Sequence, residues 1–224
     1  MWSLKLKRYL NKSKLLKNDF ALMLLACWQE SLPSSSQLCR DTDFLVVDLE
    51  TSSLDANTGE ILSIGWVEIS QGKIRLSTAE HCFLKSENGV GNSATIHHIR
   101  DCELETGRTL IDVAQHFLEV AKGKVLVFHH APLDMAFLNK ASRRLFSVPL
   151  LLPVVDTLEI EKKILLRHQD FLKKGALRLG ACRDRYHLPV YPAHDALMDA
   201  MATAELLLAQ LSHKGHKTQL KDIY

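Results

Sequence analysis

Four carboxylates and one histidine, carried by three short motifs, hold the chemistry of this chain. Asp48 and Glu50 stand in Asp48-Leu49-Glu50-Thr51, at the end of the apolar run Phe44-Leu45-Val46-Val47. Asp134 closes His129-His130-Ala131-Pro132-Leu133-Asp134, which follows the apolar run Val125-Leu126-Val127-Phe128. His194 and Asp199 bound His194-Asp195-Ala196-Leu197-Met198-Asp199, at the head of a long Ala/Leu-rich segment. Carboxylates gathered at one point repel each other unless a cation sits between them. The pattern therefore predicts a divalent-metal site, and its histidine predicts proton transfer there. Oxygen-rich ligands favour Mg²⁺ or Mn²⁺ over zinc.

The elements that must position these groups are legible in the pattern of apolar residues. Phe44–Leu49 reads as a buried strand, Ile61–Ile69 as a second and Ile74–Leu84 as a third, with Gln71-Gly72 as the hairpin turn. Helical spacing runs over Arg108–Ala121, with Gly123 as its stop. Val125–Phe128 is a short buried strand and Asp134–Leu145 a helix. Val154–Val155 is an edge strand before helices over Thr157–Leu166 and Leu177–Tyr186. A last, long helix runs over His194–Leu211. Three antiparallel strands followed by strand–helix alternation predict an α/β fold, a mixed sheet with helices on its faces.

Within that frame the spacing of the five residues has consequences. Asp48 and Glu50, two apart on a strand, point to the same side. Asp134 sits just after Pro132 near a helix start, a place the helix dipole also favours for an acid. His194 and Asp199, five apart, would be well separated around a continuous helix. Both reach one site if His194 lies in the loop before it.

The length of 224 residues fits one domain plus an extension, and 46% apolar residues suffice for a single core. Net charge is +2, unevenly spread: residues 1–40 carry seven Lys/Arg against Asp19 and Glu30, a net of +5. The chain divides into a basic extension (1–40), a main domain (41–213) and a short tail (214–224). The extension, with recurring Leu, Phe and Trp, reads as an amphipathic helix. It would touch a partner, nucleic acid or a membrane surface, or pack on the main domain. Asn18 and Asp19 interrupt what would otherwise be a signal-peptide transition. No apolar run reaches the length of a membrane span. The five cysteines (Cys27, Cys39, Cys82, Cys102, Cys182) show no zinc or disulfide spacing, which suggests reduced thiols and a cytoplasmic setting.

The three motifs resemble motifs I, II and III of the DEDDh family of 3′→5′ exonucleases. The nearest pattern is that of the proofreading (epsilon) subunit of bacterial DNA polymerase III and its stand-alone relatives. The resemblance covers about residues 43–212. It implies a ribonuclease H-like fold and a two-metal mechanism that releases nucleoside 5′-monophosphates from DNA 3′ ends. Asp48, Glu50, Asp134 and Asp199 would hold two Mg²⁺ or Mn²⁺ ions, with His194 as general base. Thr51 and Leu54 would line the terminal base and sugar. Ile96-His97-His98-Ile99 is similar to the family's Val/Ile-His-Gly-Ile segment, with His98 in place of Gly, which puts Ile96 and His97 near the terminal nucleotide. His129 becomes a structural or substrate-side group, and His130 stands where many relatives carry Asn. The sister DEDDy pattern would use Tyr191 and Asp195 instead, but Pro192 puts Tyr191 in extended chain. Single-stranded DNA is the expected substrate. The alternatives are an exoribonuclease like ribonuclease T and oligoribonuclease, a small-nucleotide hydrolase, or a non-catalytic polymerase-associated module. A DNA polymerase is a conceivable partner. So is a sliding clamp, because Gln219–Tyr224 resembles clamp-binding peptides of the Gln-Leu type. A frayed, solvated tail is the ordinary expectation for those residues.

Overall fold

The computed structural model describes residues 2–18, 20–85, 101–167, 170–192 and 194–224. Ile96 and His97 lie outside the described residues. Two helices, α1 (Trp2–Leu15) and α2 (Leu22–Gln29), precede a hairpin-led sheet: β1 (Phe44–Thr51), β2 (Ile61–Ser70) and β3 (Lys73–Phe83). Then come α3 (Asp101–Glu105), α4 (Leu110–Ala121), β4 (Val125–Phe128), α5 (Ala131–Phe146), β5 (Val154–Asp156), α6 (Thr157–Leu165), α7 (Leu179–Arg185) and α8 (Ala196–Lys214). The strands form one five-stranded sheet in the order β3-β2-β1-β4-β5, antiparallel across β3-β2-β1 and parallel across β1-β4-β5. Gln71 and Gly72 both take positive φ (52° and 67°), the geometry of a tight two-residue hairpin turn.

Strand parity sorts β1 between two apolar layers. Leu45, Val47 and Leu49 face a core shared with α2, α4 and α5. Phe44 and Val46 face the opposite core, built with Ile160 of α6 and Ala204 and Leu207 of α8. Asp48 and Glu50 continue the Phe44–Val46 side, under the start of α8. The parallel pairing of β1 with β4 ends at Val46↔Val127, so β1 runs past its neighbour and its last residues border a crevice. That crevice, at the carboxyl ends of parallel strands, is where α/β sheets bind ligands.

The helix boundaries follow local chemistry. Helix α5 begins three residues before the expected Asp134, with Pro132 in its first turn where a missing N–H costs nothing. Thr109 caps α4, its hydroxyl accepting from the Asp112 amide. The amino-terminal helices pack against α4 and the segment that leads into β5 rather than extending from the domain. Leu15, Leu24, Cys27 and Trp28 are buried, and the Trp28 indole donates to the Leu150 carbonyl at 2.8 Å.

The carboxy-terminal residues differ from the expected frayed tail. Leu220 and Ile223 are buried, and the Leu220 amide donates to the Gln37 carbonyl at 2.9 Å. A capping box between Gln219 and Asp222 closes the short turn that presents both apolar residues to the core. The side chains a clamp groove would take up are engaged within this chain.

Candidate active site

Each motif delivers its side chains to the crevice beside β1. Asp48 pairs in register with Gly65 of β2, which pairs with His81 of β3, so one row crosses three strands on a single face. Helix α8 lies on that row. A Cβ on Gly65 would collide with the Leu197 nitrogen and the Ala196 carbonyl. Only a glycine lets the first turn of α8 come so close, and that approach sets Asp199 over Asp48 and Glu50. Gly65→Ala should push the helix off the sheet, destabilise the fold by about 1–3 kcal/mol and slow the chemistry by about a hundredfold. Thermal melting and turnover check this; a variant with unchanged turnover would mean the contact does not set the site.

His194 stands outside α8, in the loop before it, with a left-handed backbone (φ 69°). Its amide donates to the Asp199 carboxylate at 3.0 Å. One ligand atom each from Glu50, His194 and Asp199 lie within 4.8 Å of one another. Asp134, at the first turn of α5, is buried, with the backbone amides of Asp134 and Leu49 close enough to its carboxyl to favour the ionised form against that burial. The five residues are thus brought together from three elements and one loop.

Electrostatics mark the same place. Burial, together with the charges of Asp134, Asp199, Glu50 and Asp195, raises the Asp48 carboxyl well above the ordinary range. Burial lifts Asp134 to about 7, and raises Asp199 despite the hydrogen bond from His194. A set of acids that cannot all ionise comfortably could hold a cation. Most of the donors are carboxylate oxygens, which suit a hard divalent cation. A folded carboxyl at about 7, against about 3.9 unfolded, holds a proton that the unfolded chain has lost, so metal-free stability falls as pH rises from about 4 to 7. The rise in melting temperature on adding Mn²⁺ should accordingly grow between pH 5 and 8. It should do so by more in the wild type than in Asp134→Asn; equal growth in both would separate Asp134 from the metal.

The other predicted residues are placed differently. Thr51 is buried and its hydroxyl donates to the Ser53 carbonyl at 2.9 Å. Leu54 is 81% exposed, open to a bound molecule. Both ring nitrogens of His129 are engaged, one with the Thr157 hydroxyl and one with the Leu177 carbonyl, each at 2.8 Å. Tyr191 turns away from the carboxylates: its hydroxyl donates to Glu205 at 2.8 Å, and the Arg183 guanidinium lies over its ring at 4.8 Å.

Three supporting residues escaped the sequence reading. Asp156 accepts from the amides of His130 (3.0 Å), Ala131 (2.9 Å) and Leu158 (2.9 Å), tying the second motif to the start of α6. Its position before Thr157 was an N-cap signal; its reach back to residue 130 was not visible. Asp195 caps α8 through the Met198 amide at 2.9 Å, and its carboxylate lies 3.7 Å from Nδ1 of His81. The His81 Nε2 is buried without a partner among the described residues.

A family model described as Exonuclease (RNase_T) matches residues 45–207. The chain belongs to this exonuclease family. The exonuclease is 29% identical over 183 residues to the DNA polymerase III PolC-type of Thermotoga petrophila, a match covering 80% of this chain and 13% of that protein. The PolC-type polymerase of Bacillus subtilis is 30% identical over 188 residues, covering 82% and 12%. The chain therefore spans about an eighth of the length of these relatives. Among solved structures, the nuclease domain of 3′hExo, a DEDDh family member bound to rAMP, matches with a TM-score of 0.66 at 13% identity, over 83% of this chain and 98% of that one. Exonuclease X in complex with 5′ overhanging duplex DNA matches with a TM-score of 0.57 at 21% identity, over 77% and 93%. The exonuclease thus has the ribonuclease H-like fold and is a nuclease, a hydrolase by class. Among the described residues, no helix is long and apolar enough to cross a membrane.

Proposed function

We propose that the chain removes nucleotides from the 3′ ends of DNA by metal-dependent hydrolysis, releasing nucleoside 5′-monophosphates. The observation that carries this reading is the convergence of Asp48, Glu50, Asp134, Asp199 and His194 on one crevice. Asp48, Glu50, Asp134 and Asp199 would hold two Mg²⁺ or Mn²⁺ ions. Bound there, such ions supply charge stabilisation for the phosphate undergoing in-line displacement.

The chain's own residues do the rest. His194, exposed and outside the helix, takes the proton of the attacking water. Its left-handed backbone aims the amide at Asp199, so general base and carboxylate are held in one geometry. Asp195, capped onto α8 and set beside His81, steadies the loop that carries the base. Leu54, exposed beyond the end of β1, offers an apolar surface to the terminal base, and Thr51 shapes the backbone beneath it. Ile96 and His97 would complete the terminal-nucleotide pocket. His129, with both nitrogens engaged, supports the second-motif loop and meets substrate through its ring carbons.

The PolC-type relatives carry their matched eighth within a DNA polymerase, which supports DNA as substrate and a polymerase as a partner for this chain. Digestion of 5′-labelled single-stranded DNA and RNA of one sequence tests the reading. The expected result is a ladder shortening from the 3′ end on DNA with Mg²⁺ or Mn²⁺, and none with EDTA. Preference for RNA would move the chain to the RNA-processing branch. Cleavage of mononucleotides alone, or of nothing, would overturn the reading.

A further inference from the structure

Helix α1 packs on the fold with one face and leaves an apolar stripe on the other. Its inward face is Leu4, Arg8, Asn11 and Leu15; Arg8 and Leu15 are buried, and Leu4 and Asn11 half-buried. Arg8 is anchored by its guanidinium, which donates to the Leu151 carbonyl at 2.9 Å and the Trp28 carbonyl at 3.2 Å. The opposite side carries Leu6, Tyr9 and Leu10, at the i, i+3, i+4 spacing of one stripe, and they are 59%, 77% and 64% exposed. At 3.6 residues per turn, Lys5 and Lys12 fall along one edge of this stripe and Lys7 and Lys14 along the other. All four lysines are exposed. Residues 1–18 contain no acidic residue. Phe20 and Leu22, just beyond the helix, are 61% and 75% exposed.

Packing on the domain explains the inward face and leaves the outward one without a cause. Singly scattered surface leucines would need none, but a stripe bordered on both sides by lysines is a pattern. We infer that the outward face of α1 rests on an anionic lipid bilayer. Leu6, Tyr9 and Leu10 sink into the headgroup–acyl boundary, and Lys5, Lys7, Lys12 and Lys14 reach up to lipid phosphates on either side. This is the arrangement of an interfacial helix lying in the membrane plane, with cationic side chains snorkelling from an apolar centre. A nucleic-acid surface would put its cations at the centre of the contact, where this helix has leucine. A protein interface tends to be depleted in lysine, here the commonest exposed residue of the helix. Helices α1 and α2 join the apolar core on the side of the sheet opposite α8, so a membrane-bound chain keeps the carboxylate crevice on its other side. The inference is independent of the proposed substrate.

Co-sedimentation of the full chain with vesicles of phosphatidylcholine, alone or mixed with phosphatidylglycerol, tests it. The expected result is pelleting with the anionic vesicles only, weakening as salt is raised. The paired variant Leu6→Glu/Leu10→Glu should lower partitioning on the order of a hundredfold. Nuclease activity in solution should be retained, since both side chains point away from the core and from the site; that activity also reports that the variant folds. Absence of pelleting with anionic vesicles, or equal pelleting of wild type and variant, would overturn the inference. So would lysine variants of this face that lose DNA affinity without losing vesicle binding, or a self-association abolished by Leu6→Glu/Leu10→Glu.

Discussion

Asp48→Asn is expected to cut nuclease turnover by roughly 10³-fold or more, the equivalent of several kcal/mol of lost charge stabilisation. Asp48 sits at the centre of the acidic cluster: its carboxyl is raised by burial and then by Asp134, Asp199 and Glu50. The amide isostere keeps its shape and its place on β1 but removes the charge that would bind a cation. Two further readouts separate this from simple unfolding. The metal-free variant should melt higher than the wild type at pH 8, because a repulsive charge is gone. The stabilisation that Mn²⁺ gives the wild type should largely disappear, since a ligand that binds only the folded state raises stability in proportion to its affinity. Turnover within tenfold of wild type would remove Asp48 from the mechanism.

His194→Asn is expected to lower kcat by about 10²–10⁴-fold while the Mn²⁺-induced rise in melting temperature survives. Asparagine is the informative choice because residue 194 has a φ of 69°, a region asparagine tolerates and alanine does not favour. The backbone donor to Asp199 is then preserved and only the imidazole is lost. The close approach of a His194 ring nitrogen to Glu50 and Asp199 admits a competing role as a metal ligand. The two roles part cleanly: a base leaves metal stabilisation intact when removed, whereas a ligand takes it away. Loss of both would reassign His194 from proton acceptor to ligand.

The sequence made the carboxylate set legible because the relevant spacings are local. Asp48 and Glu50 share a side by the period of a strand, and Phe44 and Val46 on the same side are buried against α8 as that parity requires. The mixed character of the sheet was legible from three successive strands followed by strand–helix alternation; the order of its strands was not. What stayed hidden depends on contacts between distant segments. Nothing about Gly65 in Ile64-Gly65-Trp66 announces that a helix some 130 residues later must touch its α-carbon. His81 and Asp195 meet across a comparable gap. Asp156 was readable as a helix cap, but not as the acceptor for two amides of the second motif. At the amino terminus the amphipathic pattern left open whether the helix meets a partner or packs on the main domain; one face packs, through Arg8, whose planar fork satisfies two carbonyls at once. At the other end, a frayed, solvated tail was the expectation, yet Leu220 and Ile223 are buried. They are buried because the tail's backbone also pairs with residues 35–39.

The central claim is that Asp48, Glu50, Asp134 and Asp199 together bind divalent cations. A crystal grown with Mn²⁺ and a nucleoside 5′-monophosphate, measured for anomalous scattering, tests it most directly. The account predicts anomalous peaks enclosed by those four carboxylates, with the nucleotide phosphate against them and the His194 ring facing that phosphate. Peaks located elsewhere, or an empty crevice in a crystal that holds Mn²⁺ at other sites, would contradict it.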